Sequence, residues 1–174
     1  MPADRVDGRG AACRALGAAS SAPTRAPTLV LAVGNLLRGD DGFAGVVLEE
    51  LEKEVLPETV ELFDAGTSII DLMEVFSGRQ RLIVIDAVNG GQAPGSLYRF
   101  SPEEVESGLL PMNSLHQVGL LETLKLGELV DCKPGSTVVI GVQADATALG
   151  IGLSVAVQNA VPKAVRLVKQ ELGL

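Results

Sequence analysis

Short uninterrupted apolar runs alternate along this chain with stretches in which apolar positions recur every three or four residues. Residues 28–33 (TLVLAV), closed by Gly34-Asn35, suit a strand buried on both faces. Phe43, Val47, Leu51 and Val55 then follow at a spacing of four, with Ala44 and Leu48 beside them, so a helix with one apolar stripe is expected. The unit repeats. Residues 60–63 read as a strand leading into Asp64-Ala65-Gly66-Thr67, with a helix near 68–76, and residues 81–85 form a strand ending at Asp86. Asn89-Gly90-Gly91 and Pro94-Gly95 leave no room for a crossover helix, so residues 96–100 should pair as an antiparallel or edge strand. Ser114-Leu115-His116-Gln117 has capping-box spacing and opens a helix through about Leu126. Residues 137–142 make the last strand. A final helix carries Val157, Val161, Val165, Val168 and Leu172 on one side, with Pro162 kinking it or starting its main part. Strands alternating with amphipathic helices imply an α/β domain whose mostly parallel sheet is covered on both faces.

Composition narrows the functional classes. The chain has 174 residues, of which 47% are hydrophobic, enough for one substantial core and hardly two. Residues 1–27 hold four arginines against two aspartates and read as a disordered tail, leaving residues 28–174 as a single domain. The remaining 10 basic and 20 acidic side chains give that domain a net charge of −10. Such a surface repels phosphate backbones and anionic lipid, so neither nucleic acid nor a membrane is an expected partner. No apolar run reaches the 18 residues or so of a membrane span. Cys13 and Cys132 show no CxxC spacing for a zinc site or a redox pair, and two cysteines are too few for a disulfide framework. A cytoplasmic protein is expected.

Three side chains stand where chemistry is expected. The loop 34–42 lies where nucleotide-binding folds cradle phosphate, but it lacks both GxGxxG and GxxxxGK[ST] and places Asp40 and Asp41 at the helix start instead. Aspartate there can simply cap the helix. The two roles are compatible, with Asp40 as the capper and Asp41 facing the cleft. Asp86 ends its run at the carboxyl edge of a parallel strand, where α/β folds place ligands; its plainer role is to satisfy loop N–H groups. His116 is the only histidine. In the first turn of a capped helix the dipole favours the neutral imidazole that a metal requires, although a lone histidine is commonly a surface residue. Two carboxylates and one imidazole at one rim would bind a divalent metal with open positions; nickel, zinc and manganese all suit such donors. Asp64-Ala65-Gly66-Thr67 matches the aspartic-protease D-[TS]-G signature imperfectly and sits in the wrong fold context, so Asp64 is expected to shape the cleft rim or to hold backbone N–H groups, with direct substrate contact a lesser alternative. No nucleophilic triad is assembled.

LVLAVGNLLRGDDGF, VELFDAGTS, LIVIDAV, PGSLYRF, LHQVGLLETL and VVIGVQ occur in this order. The series resembles hydrogenase maturation proteases over about residues 28–172. These endopeptidases trim a C-terminal extension from the large subunit of [NiFe]-hydrogenases. The resemblance implies a three-layer α/β/α sandwich with a five-stranded twisted sheet, mostly parallel with one antiparallel strand. It also implies that Asp41, Asp86 and His116 form the catalytic and metal site, that the nickel is supplied by the substrate, and that the partner is the large-subunit precursor. Alternatives are a non-catalytic nickel checkpoint or docking protein of the same fold, and a metal-dependent hydrolase of another peptide. Ala44 replaces a glycine common in the family pattern, and Ala144 a common proline.

Overall fold

A computed structural model describes residues 26–68, 73–108, 115–145 and 147–174, with the backbone alone at 115–118. Strand β1 (Thr28–Ala32) runs into a 3-10 turn at Gly39–Gly42 and helix α1 (Phe43–Glu52). Then come β2 (Val60–Asp64), α2 (Met73–Phe76), β3 (Arg81–Val88), β4 (Leu97–Phe100), α3 (Pro102–Glu106), α4 (Leu115–Leu129), β5 (Ser136–Gln143), α5 (Val155–Gln158) and α6 (Val161–Glu171).

The sheet order is β2-β1-β3-β5-β4. β1 pairs in parallel with β2, with Thr28 opposite Val60, and with β3, with Thr28 opposite Arg81. β3 pairs in parallel with β5, and β4 closes the edge antiparallel to β5, with Leu97 opposite Val142. This is the expected mostly parallel sheet with one antiparallel strand. Alternate side chains divide between its faces, as the twofold strand repeat requires. Val30, Ile83, Ile85, Ile140 and Val142 meet Phe43, Val47 and Leu51 of α1 and Ala164 and Val168 of α6 on one face. Leu29, Leu31, Leu82, Val84 and Val139 meet Phe76 of α2 and Leu120 and Leu124 of α4 on the other. Each fully buried aliphatic side chain contributes about 1.5–3 kcal/mol.

Several expected boundaries differ. β3 continues two residues past Asp86, because Ala87 and Val88 keep pairing with β5, at Val142 and Gln143. The last helix is two, α5 and α6, with Pro162 in the first turn of α6, where a proline lacks no needed N–H. Helix α3 was not expected; Pro102 starts it, and Ser101 and Glu104 form a capping box. The expected cap at Ser114, the core of the expected helix near 68–76, and residues 1–25 lie outside the described residues. Ala26 and Pro27, expected in the tail, are hydrogen-bonded to the domain through their carbonyls. The Pro27 carbonyl accepts Gln80 N–H at 2.8 Å and Arg81 N–H at 3.1 Å, and the buried Arg79 donates to the Ala26 carbonyl at 2.5 Å. Arg79 also pairs with Glu61 at 2.7 Å.

The chain leaving β1 folds back sharply. Gly34 has φ +152°, its N–H donates to the Gly66 carbonyl at 2.8 Å, and Asn35 N–H donates to the Asp41 carbonyl at 3.2 Å. A Cβ at Gly34 would stand 2.0 Å from the Asp41 carbonyl oxygen. Gly34→Ala should therefore destabilise the protein by about 2–4 kcal/mol, since neither the strained φ nor the backbone contact can be relieved locally. Thermal denaturation of the variant checks this, and an unchanged melting temperature would refute it.

At the opposite end, Glu171 of α6 accepts from Arg99 on β4 at 2.6 Å and 3.2 Å and also pairs with Arg81 on β3. The hydrogen bond from Arg99, followed by the positive charges of Arg99 and Arg81, holds the Glu171 carboxyl below its ordinary value of 4.5. A depressed folded-state pKa means stability that is present above the unfolded value and lost as pH falls through the folded one. Glu171→Gln should thus cost about 1–2 kcal/mol at neutral pH. Its gap from wild type should narrow steadily as the pH drops below 4.5, as melts across pH 3–7 would reveal.

Candidate active site

The rim to consider lies at the carboxyl ends of β1 and β3, and the three candidate residues stand on three separate segments. The loop after β1 is the first. Its 3-10 turn carries Asp40 and Asp41 into α1, and Leu37 N–H donates to Asn35 Oδ1 at 2.9 Å within it. The end of β3 is the second, held beside β1 by Val33 N–H donating to the Ile85 carbonyl at 3.0 Å. The start of α4 is the third. α4 leads into β5 through a short turn, so its final residues stand at the amino end of β5. The helix is 15 residues long, at about 1.5 Å each, so its first residues are directed back toward the carboxyl edge.

Asp41 is half-buried on the 3-10 turn. Asp86 is 2% exposed and lies within β3 opposite Gly141 of β5, so it is a buried strand residue rather than the expected strand end. It occupies the sheet face of Leu82, Val84 and Val88, against which α4 packs through Leu120 and Leu124. Gly141 adds no side chain beside it, and a Cβ there would meet Val88 Cγ2 at 2.8 Å. His116 is the second residue of α4, four before Leu120; its side chain lies outside the described residues. Among the described residues no group of three metal-ligating side chains is assembled.

Asp40 does not cap the helix. The 3-10 turn and α1 have no side-chain cap, and the Asp40 carboxylate, 1% exposed, turns inward to the segment after β5. It accepts Asp145 N–H at 2.8 Å, Ser154 N–H at 2.7 Å and Ser154 Oγ–H at 3.0 Å. A buried carboxylate needs such donors, because ionised oxygen is costly to remove from water. Ser154 in turn caps α5 by accepting Val157 N–H at 3.4 Å. Partners more than a hundred residues away leave no local signal, so sequence reasoning missed this role.

A second missed residue is Gln143, 6% exposed at the end of β5. Its Oε1 accepts Gly90 N–H at 2.9 Å, Gln92 N–H at 3.2 Å and the Tyr98 hydroxyl at 2.9 Å. Its Nε2 donates to Asn89 Oδ1 at 3.3 Å and the Ala144 carbonyl at 3.1 Å. The turn that follows the strand of Asp86 is thereby pinned to β5. Asp64 accepts Gly66 N–H at 2.9 Å, the backbone-holding role expected of it.

Comparison with known proteins places this geometry. The family model for HycI, hydrogenase maturation protease, matches residues 46–171. The hydrogenase expression/formation protein HupD of Thiocapsa roseopersicina is 38% identical over 117 residues, 66% of this chain and 53% of its own length. The Bradyrhizobium diazoefficiens HupD is covered over 61%, so the chain spans between half and two thirds of these relatives. The hydrogenase 2 maturation protease of Escherichia coli K12 is 32% identical over 142 residues, covering 80% of this chain and 87% of that protein. The hydrogenase maturating endopeptidase HybD from E. coli superposes with a TM-score of 0.76 at 31% identity, over 83% of this chain and 91% of that one. The [NiFe] hydrogenase maturation protease HybD from Thermococcus kodakarensis gives 0.70 at 31%, over 82% and 97%. An acidic rim at the carboxyl edge of a β2-β1-β3-β5-β4 sheet, a sequence model spanning most of the domain and these structural likenesses agree: the chain belongs to the hydrogenase maturation protease family.

Proposed function

We propose that this chain is an endopeptidase that removes the C-terminal extension of a nickel-loaded [NiFe]-hydrogenase large-subunit precursor, working in the cytoplasm. The observation that carries the reading is Asp86, a carboxylate kept at 2% exposure on β3 at the carboxyl edge of the sheet, in a chain of this family. A carboxylate is not placed in a sheet interior for packing, since its desolvation is costly. Asp41 approaches from the loop after β1 and His116 from the start of α4, so three elements contribute one donor each.

Two carboxylate oxygens and an imidazole nitrogen are a fitting donor set for a divalent first-row ion with open positions. In our reading the nickel belongs to the substrate. The three side chains complete the coordination of an ion that the precursor already holds, so an empty precursor is not engaged. The working unit is proposed to be the α/β domain of residues 28–174, with Ala26 and Pro27 hydrogen-bonded to it. No helix among the described residues is long and apolar enough to cross a membrane.

Asp41→Asn, Asp86→Asn and His116→Ala should each lower processing of nickel-loaded precursor by at least a hundredfold, followed by the precursor's mass. That size is typical for losing a positioned charged group or metal ligand. Asp41→Asn should leave the fold intact by circular dichroism. Asp86→Asn, being buried, should shift the melting temperature by a few degrees. Wild-type processing rates in a folded variant would remove that residue from the site, and a precursor bound but left whole by the wild-type protein would favour a docking role.

Metal dependence gives a second expectation. Three protein ligands and open positions leave a captured ion exchangeable, so protein purified without its substrate should hold far less than one equivalent of metal by elemental analysis. Precursor stripped of nickel should remain uncut even when the enzyme has been preincubated with nickel and desalted. Efficient cutting of the stripped precursor would overturn substrate-held nickel.

A further inference from the structure

Two segments beside the candidate site expose apolar side chains that the folded core has no use for. Leu36 is 47% and Leu37 60% exposed on the loop that carries Asp41; Leu149 is 88%, Ile151 89% and Val155 79% exposed on the segment after β5. Nine large apolar side chains are exposed among the described residues, and these five stand on two segments that touch. Scattered surface leucines are ordinary, but a cluster of this kind marks a surface that another molecule covers.

The cluster is held on a fixed backbone. Gly39 N–H donates to the Gly150 carbonyl at 2.7 Å and Gly150 N–H to the Leu37 carbonyl at 3.0 Å, forming a parallel bridge between Arg38 and Gly150. The Arg38 guanidinium donates twice to the Thr147 carbonyl, each at 3.3 Å. The buried Asp40 ties Ser154 to the same loop from below. Leu36 lies over Gly42 and Gly45, where a Cβ would come within 3.3 Å and 3.1 Å of its Cδ2. Side chains fixed in this way lose little freedom on binding.

We propose that this rim docks an apolar, uncharged or basic segment of the precursor polypeptide that adjoins the bond to be cut. The inference rests on the protease reading above, and three observations select this occupant. First, the rim is continuous with the site: Leu37 is separated from Asp41 by three residues, so substrate reaching Asp41 passes over it. Second, small ligands take concave pockets. Yet the cavity of about 630 Å³ along α1 and α6 and that of about 200 Å³ beside α3 and α4 are lined by none of the five residues. Third, each copy of the chain carries a net charge of −8, so a second copy on the rim would meet repulsion that a neutral or basic segment does not.

The test is steady-state processing of nickel-loaded precursor by Leu37→Ser/Ile151→Ser, with Leu129→Ser, exposed at the far end of α4, as control. Both rim positions are exposed, so folding should survive, as circular dichroism melts would confirm; Leu149→Ser/Val155→Ser serves as an independent pair. Losing two apolar contacts should raise KM about tenfold and leave kcat within about twofold, the signature of lost uniform binding. The control should match wild type. A wild-type KM in both folded rim variants overturns the docking surface while leaving the protease reading intact. An absence of wild-type processing overturns both. A wild-type dimer that the rim substitutions dissociate in sedimentation assigns the surface to self-association and likewise overturns the proposal.

Discussion

The position of β1 between two parallel neighbours governs the rest of this molecule. β1 pairs with β2 on one side and β3 on the other, over the same five residues. Right-handed crossovers then send the chain to opposite faces of the sheet: α1 follows β1 on one face, and α2 precedes β3 on the other. The connections leaving the carboxyl ends diverge, and a crevice opens where they part. Asp41 follows β1, and Asp86 lies within the pairing of β3, two residues before its end, on either side of it. The acidic rim is thus a consequence of strand order, and the same order that buries Leu29–Ala32 completely decides where chemistry can occur.

Burial divides the labour within Asp40-Asp41. Asp40 is almost fully enclosed and spends its carboxylate on Asp145 and Ser154, while Asp41, one residue on, remains half-exposed. A 3-10 turn makes this possible, since about 120° separates successive residues and adjacent side chains diverge. Gly34 completes the arrangement by letting the Asp41 carbonyl approach where any side chain would intrude. The loops at the rim are therefore irregular in shape yet densely hydrogen-bonded, which is what a preorganised site needs.

Much of this was legible in the sequence because the signals were periodic or local. Uninterrupted apolar runs located the five strands, glycine and proline punctuation identified β4 as the antiparallel edge, and the stripe of Phe43, Val47 and Leu51 gave α1, whereas Val55, expected on the same stripe, lies beyond the helix and is 98% exposed. What was not legible depended on distant partners. The extension of β3 through Asp86 required the pairing of Ala87 and Val88 with Val142 and Gln143, which no window of ten residues contains. Asp40 looked like a helix cap because aspartate at such a position usually is one; its true donors are 105 and 114 residues away. Gln143 lies just past the expected strand 137–142, and its five bonds to the 89–98 region and Ala144 depend on β4 lying alongside. The sequence leaves Pro162 as a kink or as the start of the main part of the helix; it is the start, in the first turn of α6, because α5 has its own cap at Ser154.

In the proposed reading, a rim drawn from three elements would make the site both rigid and selective. Asp86 is fixed by the sheet, with Gly141 and the Gln143-pinned turn beside it, so it cannot move toward a ligand without breaking strand pairing. Asp41 sits on a loop tied at both ends, through Gly34 and through the Arg38–Gly150 bridge. Donors held in this way cannot collapse onto a smaller ion or draw together when none is present. In the proposed reading, solvating an ion with a few fixed donors is less favourable than letting it keep its own ligands, and binding becomes favourable only when another molecule supplies the missing ones. A protein with few donors and little freedom to rearrange them is thereby suited to reading a metal held by a partner, because the same rigidity that weakens its grip on a free ion sharpens its response to one already in place.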